Sequence, residues 1–100
     1  MLNIELNCEE NETRITLEGS LNSNTAGDLK EKLNDIPDSE KRVVVDAKEL
    51  KYVASAGLRV ILTLQKKMDA VGGQLILTNV SDNLRELFED TGFVDFLTIE

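Results

Sequence analysis

The feature that most constrains the fold is a run of three consecutive valines, followed after a few residues by a long amphipathic pattern. The valines lie within residues 42–46, and such an apolar, β-branched run is typical of a strand covered on both faces, as in a parallel or mixed sheet. A helix is predicted to begin just after Ser55 and to run to about Ala70 or Val71. The middle of the chain is therefore predicted to form a buried strand, a turn of small residues and a helix.

The residues of this helix separate into an inner and an outer face when they are placed on a helical wheel. The inner face consists of Gly57, Val60, Ile61, Leu64, Met68 and Val71. The outer face carries Arg59, Thr63 and Lys66, while Leu58 and Leu62 are predicted on the rim, where they could border the core or contact a partner. Glycine inside a helix is unfavourable by up to about 1 kcal/mol relative to alanine, so Gly57 predicts a close approach of the sheet or a neighbouring loop.

Ser55 is predicted to be the N-cap of this helix, because its side-chain oxygen can accept a hydrogen bond from an amide in the first turn. Its neighbours Ala54, Ala56 and Gly57 are small, which leaves room for another molecule. A phosphate at this position would face unpaired amides and the positive end of the helix dipole. Considered alone, however, the serine is better explained as a structural cap, because serine is common at that position.

The remaining elements alternate between strands and helices. Two strands are predicted to form a hairpin. The first is marked by Leu2, Ile4, Leu6 and Cys8, with Cys8 as a small core residue. The second is marked by Ile15 and Leu17 and ends near Gly19. After a polar loop at residues 20–24, a helix is predicted over residues 25–34, with Ala26, Leu29 and Leu33 inside, Ile36 packing as the chain leaves it, and Pro37 ending the segment.

The last part of the chain continues the same alternation. Gly72 and Gly73 end the long helix, a strand follows at residues 74–78, and Ser81 caps a helix whose inner face carries Leu84, Leu87 and Phe88. Gly92 ends that helix, and Phe93, Phe96, Leu97 and Ile99 mark a short final strand. The predicted order is ββαβαβαβ, an α/β fold in which helices cover a mixed sheet, with residues 1–100 forming a single domain.

Composition limits the classes of partner and the cellular location. The net charge of −8 argues against binding to nucleic acid or to an anionic membrane surface, both of which need a basic face. No apolar run is long enough to span a membrane, and Cys8 is the only cysteine, so no internal disulfide can form. A cytoplasmic location is therefore expected.

The chain lacks the residues that most enzyme mechanisms need. It contains no histidine, which excludes Ser-His and Cys-His nucleophile pairs, and it has neither a metal-ligand cluster nor a glycine-rich phosphate loop. We therefore predict a protein without catalytic activity and without a cofactor of its own.

One alternative from a different class is a receiver-like domain phosphorylated on Asp46. Such domains also need an acidic pair after the first strand and a lysine after a late one. Here Glu9 and Glu10 follow a strand that leads into a hairpin, and no lysine follows the last strand. Asp46 is better explained as a strand-end residue that is hydrogen-bonded to nearby amides.

Three separated blocks resemble the STAS domains, specifically the small anti-sigma-factor antagonists of bacteria. The first is Leu-Glu-Gly-Ser-Leu-Asn at residues 17–22 with Thr-Ala at 25–26, similar to the Gly-Glu-Leu-Asp entry of that family. The second joins the valine strand to residues 52–58, where the family has Asp-Ser-Ser/Thr-Gly-Leu. The third is Leu-Phe-Glu-Asp-Thr-Gly-Phe at residues 87–93, similar to Leu-Phe-Asp-x-x-Gly-Leu. In order, the three blocks cover nearly the whole chain.

The resemblance implies a binding switch in which Ser55 is phosphorylated by a partner that is both an anti-sigma factor and a serine protein kinase. Docking of the unphosphorylated chain would release a sigma factor, and ATP would be bound by the partner. The implied docking surface consists of Asn22, Ser23, Asn24, Ala54, Ala56, Gly57, Leu58, Arg59 and Leu62.

Two carboxylates of the family pattern are absent, because Ala54 and Asn22 stand in their places, and Ala56 replaces a serine or threonine. These departures are compatible with a divergent antagonist. They are also compatible with a STAS subunit of a transporter or signalling complex that binds without being phosphorylated.

Overall fold

Five strands and three α-helices alternate along the chain in the computed structural model, which describes residues 2–9, 11–36, 39–92 and 98–99. The elements are β1 (Leu2–Cys8), β2 (Thr13–Leu21), α1 (Ala26–Lys32, continued by a 3-10 turn at Leu33–Asp35), β3 (Arg42–Val53), α2 (Ser55–Ala70), β4 (Gln74–Thr78), α3 (Asp82–Asp90) and β5 (Thr98–Ile99). The predicted order ββαβαβαβ and the mixed α/β class are confirmed.

The strands form one sheet in the order β1-β2-β3-β4-β5. β1 and β2 pair antiparallel, which confirms the predicted hairpin, and the other three pairs are parallel. Parallel neighbours need a crossover connection, which a helix usually supplies. Accordingly, α1 lies between β2 and β3 in the chain, α2 between β3 and β4, and α3 between β4 and β5.

β3 is longer than predicted, because it continues beyond residue 46 to Val53. In the added part the buried residues are Ala47, Leu50 and Val53, which are three apart rather than two. The pairing with β2 changes register twice along this stretch, and bulges of this kind break the alternation of inward and outward side chains. The second half of the strand therefore lacks the period of two on which the sequence prediction depended.

α2 buries a wider arc than its pattern indicated. Gly57, Val60, Ile61, Leu64 and Met68 are buried as predicted, and Val71, just after the helix, is half-buried. Leu58 is also buried, with 2% of its surface exposed, so its predicted position on the rim is wrong. Leu58 lies beside Ile61 on the side of α2 that turns away from α1, and it belongs to the hydrophobic core. The core therefore covers a wider arc of the helix than one narrow stripe.

Cys8 is exposed, and its predicted place in the core is wrong. It is the last residue of β1 and pairs with Thr13 at the end of the hairpin. β1 is an edge strand, and even its inward residues Leu2, Ile4 and Leu6 are only half-buried. At the end of such a strand the sheet and its helices no longer provide cover.

The start of α3 and the end of α2 follow the predicted local chemistry. Ser81 caps α3 by accepting a hydrogen bond from the Leu84 amide at 3.3 Å, and Gly72, just beyond α2, adopts a φ of 72°, as glycines after helices commonly do.

Within the described residues, no helix is both long and apolar enough to cross a membrane. Pro37, Phe93, Phe96 and Leu97 lie outside the described residues, whereas Ile99 belongs to β5.

The start of α2 is held against the end of β2 by a close contact at Gly57. A Cβ atom on this residue would overlap Leu21 Cγ and would lie 2.8 Å from Leu21 Cδ2 and 3.1 Å from the Leu21 carbonyl oxygen. These distances are shorter than ordinary van der Waals contacts. The Ala54 amide also donates to that carbonyl oxygen at 2.8 Å. The close approach predicted from Gly57 is therefore confirmed.

Replacing Gly57 with alanine should lower the free energy of unfolding by about 1–3 kcal/mol, because the added methyl group displaces Leu21 in a packed region. Gly27→Ala is the matched control, because Gly27 also lies in a helix and has nothing within 4 Å of its Cβ position. That control should be neutral or raise stability by up to about 1 kcal/mol. Urea unfolding followed by circular dichroism measures both changes, and equal effects at the two glycines would contradict the packing argument.

Candidate partner-binding site at the Ser55 turn

Two loops that are far apart in sequence meet at one end of the sheet. β2 and β3 run parallel and finish together, with Ser20 paired to Tyr52 and Leu21 paired to Val53. The chain after β2 and the chain after β3 therefore leave the sheet side by side. The structure thus brings together the two segments, residues 22–24 and the Ser55 turn, that the sequence analysis assigned to one surface.

The first loop is fixed by hydrogen bonds to the side chains of Asn22 and Thr25. Asn22 Oδ1 accepts from the amides of Asn24 at 2.9 Å and Thr25 at 3.1 Å. The buried Thr25 hydroxyl accepts from the Asn22 amide at 2.8 Å and donates to the Ser20 carbonyl oxygen at 2.9 Å. An amide oxygen serves as well as a carboxylate for these contacts, so Asn22 orders the loop without adding a negative charge.

Ser55 is the first residue of α2 rather than its N-cap, so the predicted capping role is wrong. Ala54 occupies the N-cap position with an extended backbone, and its carbonyl oxygen accepts from the Leu58 amide at 3.0 Å. Because alanine has no side-chain acceptor, the helix begins without a side-chain cap, and its first amides have no partner within the helix. The Ser55 side chain is exposed beside these amides.

The other predicted surface residues divide into exposed and supporting ones. Ser23, Asn24 and Arg59 are exposed, and Asn22, Ala54, Ala56 and Leu62 are half-buried. Gly57 and Leu58 are buried, so they support the surface from beneath, and their predicted direct contact with a partner is corrected.

Tyr52, which has no predicted role in the sequence, lies next to this site. It pairs with Ser20 just before the turn, and 53% of its surface is exposed. Exposed tyrosines are enriched in protein interfaces. Its outward position could not be predicted, because it depends on the irregular pairing in the second half of β3.

Asp46 lies far from the Ser55 turn, about 20 Å before the end of β3 along the strand. As predicted, it accepts hydrogen bonds, from the Lys48 amide at 3.0 Å and from Asn79 Nδ2 at 3.1 Å. Burial alone would raise its pKa, but these bonds and the charges of Arg14 and Lys48 outweigh that effect and hold the pKa below the ordinary value. Across the described segments, no three metal-ligating side chains converge on a common point.

Comparison with known proteins places this geometry in a family. The sequence profile described as "Mlab, STAS domain" matches residues 4–98. BtrV of Bordetella bronchiseptica, named as an anti-sigma factor antagonist, is 38% identical over 84 residues, which cover 83% of this chain and 72% of that protein. The anti-sigma-B factor antagonist of Bacillus subtilis is 30% identical over 98 residues, which cover 98% of this chain and 90% of that protein.

Solved structures show the same fold at lower identity. An anti-sigma factor antagonist from Mycobacterium paratuberculosis has a TM-score of 0.86 at 16% identity, covering 99% of this chain and 85% of its own. The phosphorylated form of the Bacillus cell fate determinant SpoIIAA has a TM-score of 0.75 at 20% identity, covering 98% and 91%. A sulfate transporter family protein from Wolinella succinogenes has a TM-score of 0.78 at 21% identity, covering 91% and 75%. With a profile match along nearly its whole length and relatives at 30% identity or more, this chain belongs to the STAS domain family.

Proposed function

We propose that this protein is an anti-sigma-factor antagonist that binds an anti-sigma factor, releases a sigma factor and is switched off by phosphorylation of Ser55. The observation that carries the proposal is the exposed hydroxyl of Ser55 at the first residue of α2, beside the ordered loop at residues 22–24. Relatives named as antagonists support it, because they align with most of this chain.

The docking surface is defined by the exposed and half-exposed residues around the turn, and we refer to it as the Ser55 surface. Its members are Asn22, Ser23, Asn24, Tyr52, Ala54, Ser55, Ala56, Arg59 and Leu62. It combines an aromatic and an aliphatic side chain with small residues that let a partner approach closely. Because strand pairing and the contact at Gly57 fix the backbone beneath it, little conformational entropy is lost on binding.

Phosphorylation of Ser55 changes the charge of this surface without requiring a change of fold. A phosphoserine carries about −1.5 to −2 charges, and here it lies beside uncapped amides at the positive end of the helix dipole. Arg59 is one turn further along the helix, within reach of the phosphate. Ala54 and Asn22 contribute no repelling carboxylate. The phosphate is thus accommodated by the chain itself, while its bulk and charge obstruct an interface that fits the unmodified serine.

The protein carries out no reaction in this scheme. A kinase partner binds ATP and transfers its γ-phosphoryl group to Ser55 Oγ, the serine proton is lost, and ADP leaves. Arg59 and the first amides of α2 hold the phosphate once it is attached. The cytoplasm, where bacterial transcription takes place, is the proposed location.

A second candidate function is a STAS binding subunit of a transporter or signalling complex that is not phosphorylated. This candidate is favoured by Ala54 and Asn22, which stand where the family pattern has carboxylates. Ser55→Ala separates the two candidates: in an antagonist it abolishes phosphorylation and makes binding permanent. In a constitutive subunit, Ser55→Ala changes neither the phosphorylation state nor the binding.

Leu62→Asp should weaken binding to the anti-sigma factor captured from the native cells by at least about tenfold, because Leu62 is half-exposed on the Ser55 surface. The free energy of unfolding should change by less than about 1 kcal/mol. Leu58→Asp is the contrasting variant, and we expect it to unfold the domain, because it buries a carboxylate in the core. Isothermal calorimetry and thermal unfolding provide the two measurements. Unchanged affinity in the Leu62 variant would remove this residue from the interface.

A phosphate on Ser55 should raise the stability of the free chain while it sharply weakens partner binding. Removing Arg59 should cancel part of the gain, with a coupling of about 0.5–1 kcal/mol. Thermal unfolding is measured, with and without the phosphate, for the parent chain, for Arg59→Ala and for the control Lys66→Ala. The control removes an exposed cation further along α2. Coupling of equal size for Arg59 and Lys66 would indicate general screening rather than a specific contact.

A further inference from the structure

A groove of ≈ 290 Å³ lies between α1 and α2 and adjoins the Ser55 surface. Its floor is formed by apolar side chains, Leu33, Ala56, Val60 and Leu64. Its rim carries Lys30 from α1 and Arg59 and Lys67 from α2. Ala56 and Arg59 belong to both surfaces, so the groove starts where the Ser55 surface ends.

The shape of the groove follows from the spacing of its residues on α2. These residues are Ala56, Arg59, Val60, Thr63, Leu64 and Lys67, which recur at intervals of three and four and therefore form one stripe along the helix. At about 1.5 Å per residue the stripe is about 16 Å long, or three turns. The opposite side of the groove is shorter, about one turn, and is formed by Lys30, Leu33 and Asn34.

The charges along the groove are opposite to those of the chain as a whole. The protein has a net charge of −8, yet three basic residues and no acidic residue line this groove among the described segments. The acidic residues near it on α1, which are Asp28, Glu31 and Asp35, line a different hollow together with Lys32. α1 therefore presents its carboxylates on one side and Lys30 on the side that faces α2.

We propose that this groove binds an acidic amphipathic helix of about three turns, supplied by a partner protein. Apolar side chains at spacings of three and four would lie on the floor, as in other complexes of a helix in a groove. Glutamates or aspartates beside them would pair with Lys30 and Arg59. The inference goes beyond the proposed antagonist function, because it depends on the shape and charge of the groove and not on the identity of the partner.

A small amphiphilic anion fits the groove less well than a helix does. Small-molecule sites enclose most of the ligand surface and have volumes of about 300–1,000 Å³, whereas this groove is open and lies at the lower limit of that range. Its cations are also separated, with Arg59 and Lys67 two turns apart on α2 and Lys30 on α1. A single carboxylate head group could contact only one part of that rim.

The test uses the full chain and a designed, fluorescein-labelled peptide of 18 residues, with leucines on one helical face and glutamates elsewhere. Fluorescence anisotropy measures its affinity for the parent protein and for Lys30→Glu and Arg59→Glu. Lys32→Glu and Lys66→Glu are the matched controls, because they make the same charge change on the same helices outside the groove. A second peptide with lysine in place of glutamate tests the sign of the charge.

We expect each groove variant to weaken binding of the acidic peptide by about fivefold or more, and each control to change it by less than about twofold. Binding should also fall as salt is added, and the lysine peptide should not bind. Thermal unfolding confirms that each variant is folded. If a charge reversal impairs folding, Lys30→Gln and Arg59→Gln provide the same test against Lys32→Gln and Lys66→Gln, with an expected loss of about threefold in the groove variants.

Three results would overturn the proposal. The first is equal affinity in the groove variants and in the controls. The second is binding of the lysine peptide as tightly as the glutamate peptide. The third is displacement of the acidic peptide by an equimolar fatty acid such as laurate, with the same dependence on Lys30 and Arg59, which would assign the groove to a small amphiphile.

Discussion

The structure depends on the contact between the end of β2 and the start of α2. Gly57 lies so close to Leu21 that a Cβ atom would have no room, and the Leu21 carbonyl oxygen accepts the amide hydrogen of Ala54. This contact places Ser55 at the end of the sheet beside the loop that follows β2. Together with the parallel pairing of β2 and β3, it makes one surface of two segments that are distant in sequence. The absence of a side chain at position 57 is therefore a condition for the site as well as for packing.

The amphipathic patterns of the sequence predicted most of the fold. The limits of β4, the end of α2 and the cap at Ser81 agree with the structure, because each depends on local chemistry: an apolar run, a glycine in a left-handed conformation or a serine beside a free amide. The site was predicted less fully. The acceptor position and most surface residues came from the resemblance to a family, and the bare serine favoured nothing more than a cap.

The errors arose where tertiary context decides the outcome. The second half of β3 buries every third residue because its pairing is bulged, so no period of two was present to detect. Leu58 is buried because the hydrophobic core also covers the side of α2 that turns away from α1. Ser55 misses the cap position by one residue because Ala54 takes the extended conformation. The strand that pairs with β3, and the Leu21 carbonyl oxygen that accepts from the Ala54 amide, both lie far from these residues in sequence.

The most direct test of the account is the phosphorylation state of Ser55 in the chain that is bound to an anti-sigma factor in the native cell. The tagged protein is captured, the bound and free pools are separated by size, and each pool is analysed by mass spectrometry. The account predicts an anti-sigma factor in the bound pool with unmodified Ser55, and phosphoserine at position 55 confined to the free pool. Equal phosphorylation of Ser55 in both pools, or a bound pool without an anti-sigma factor, would contradict it.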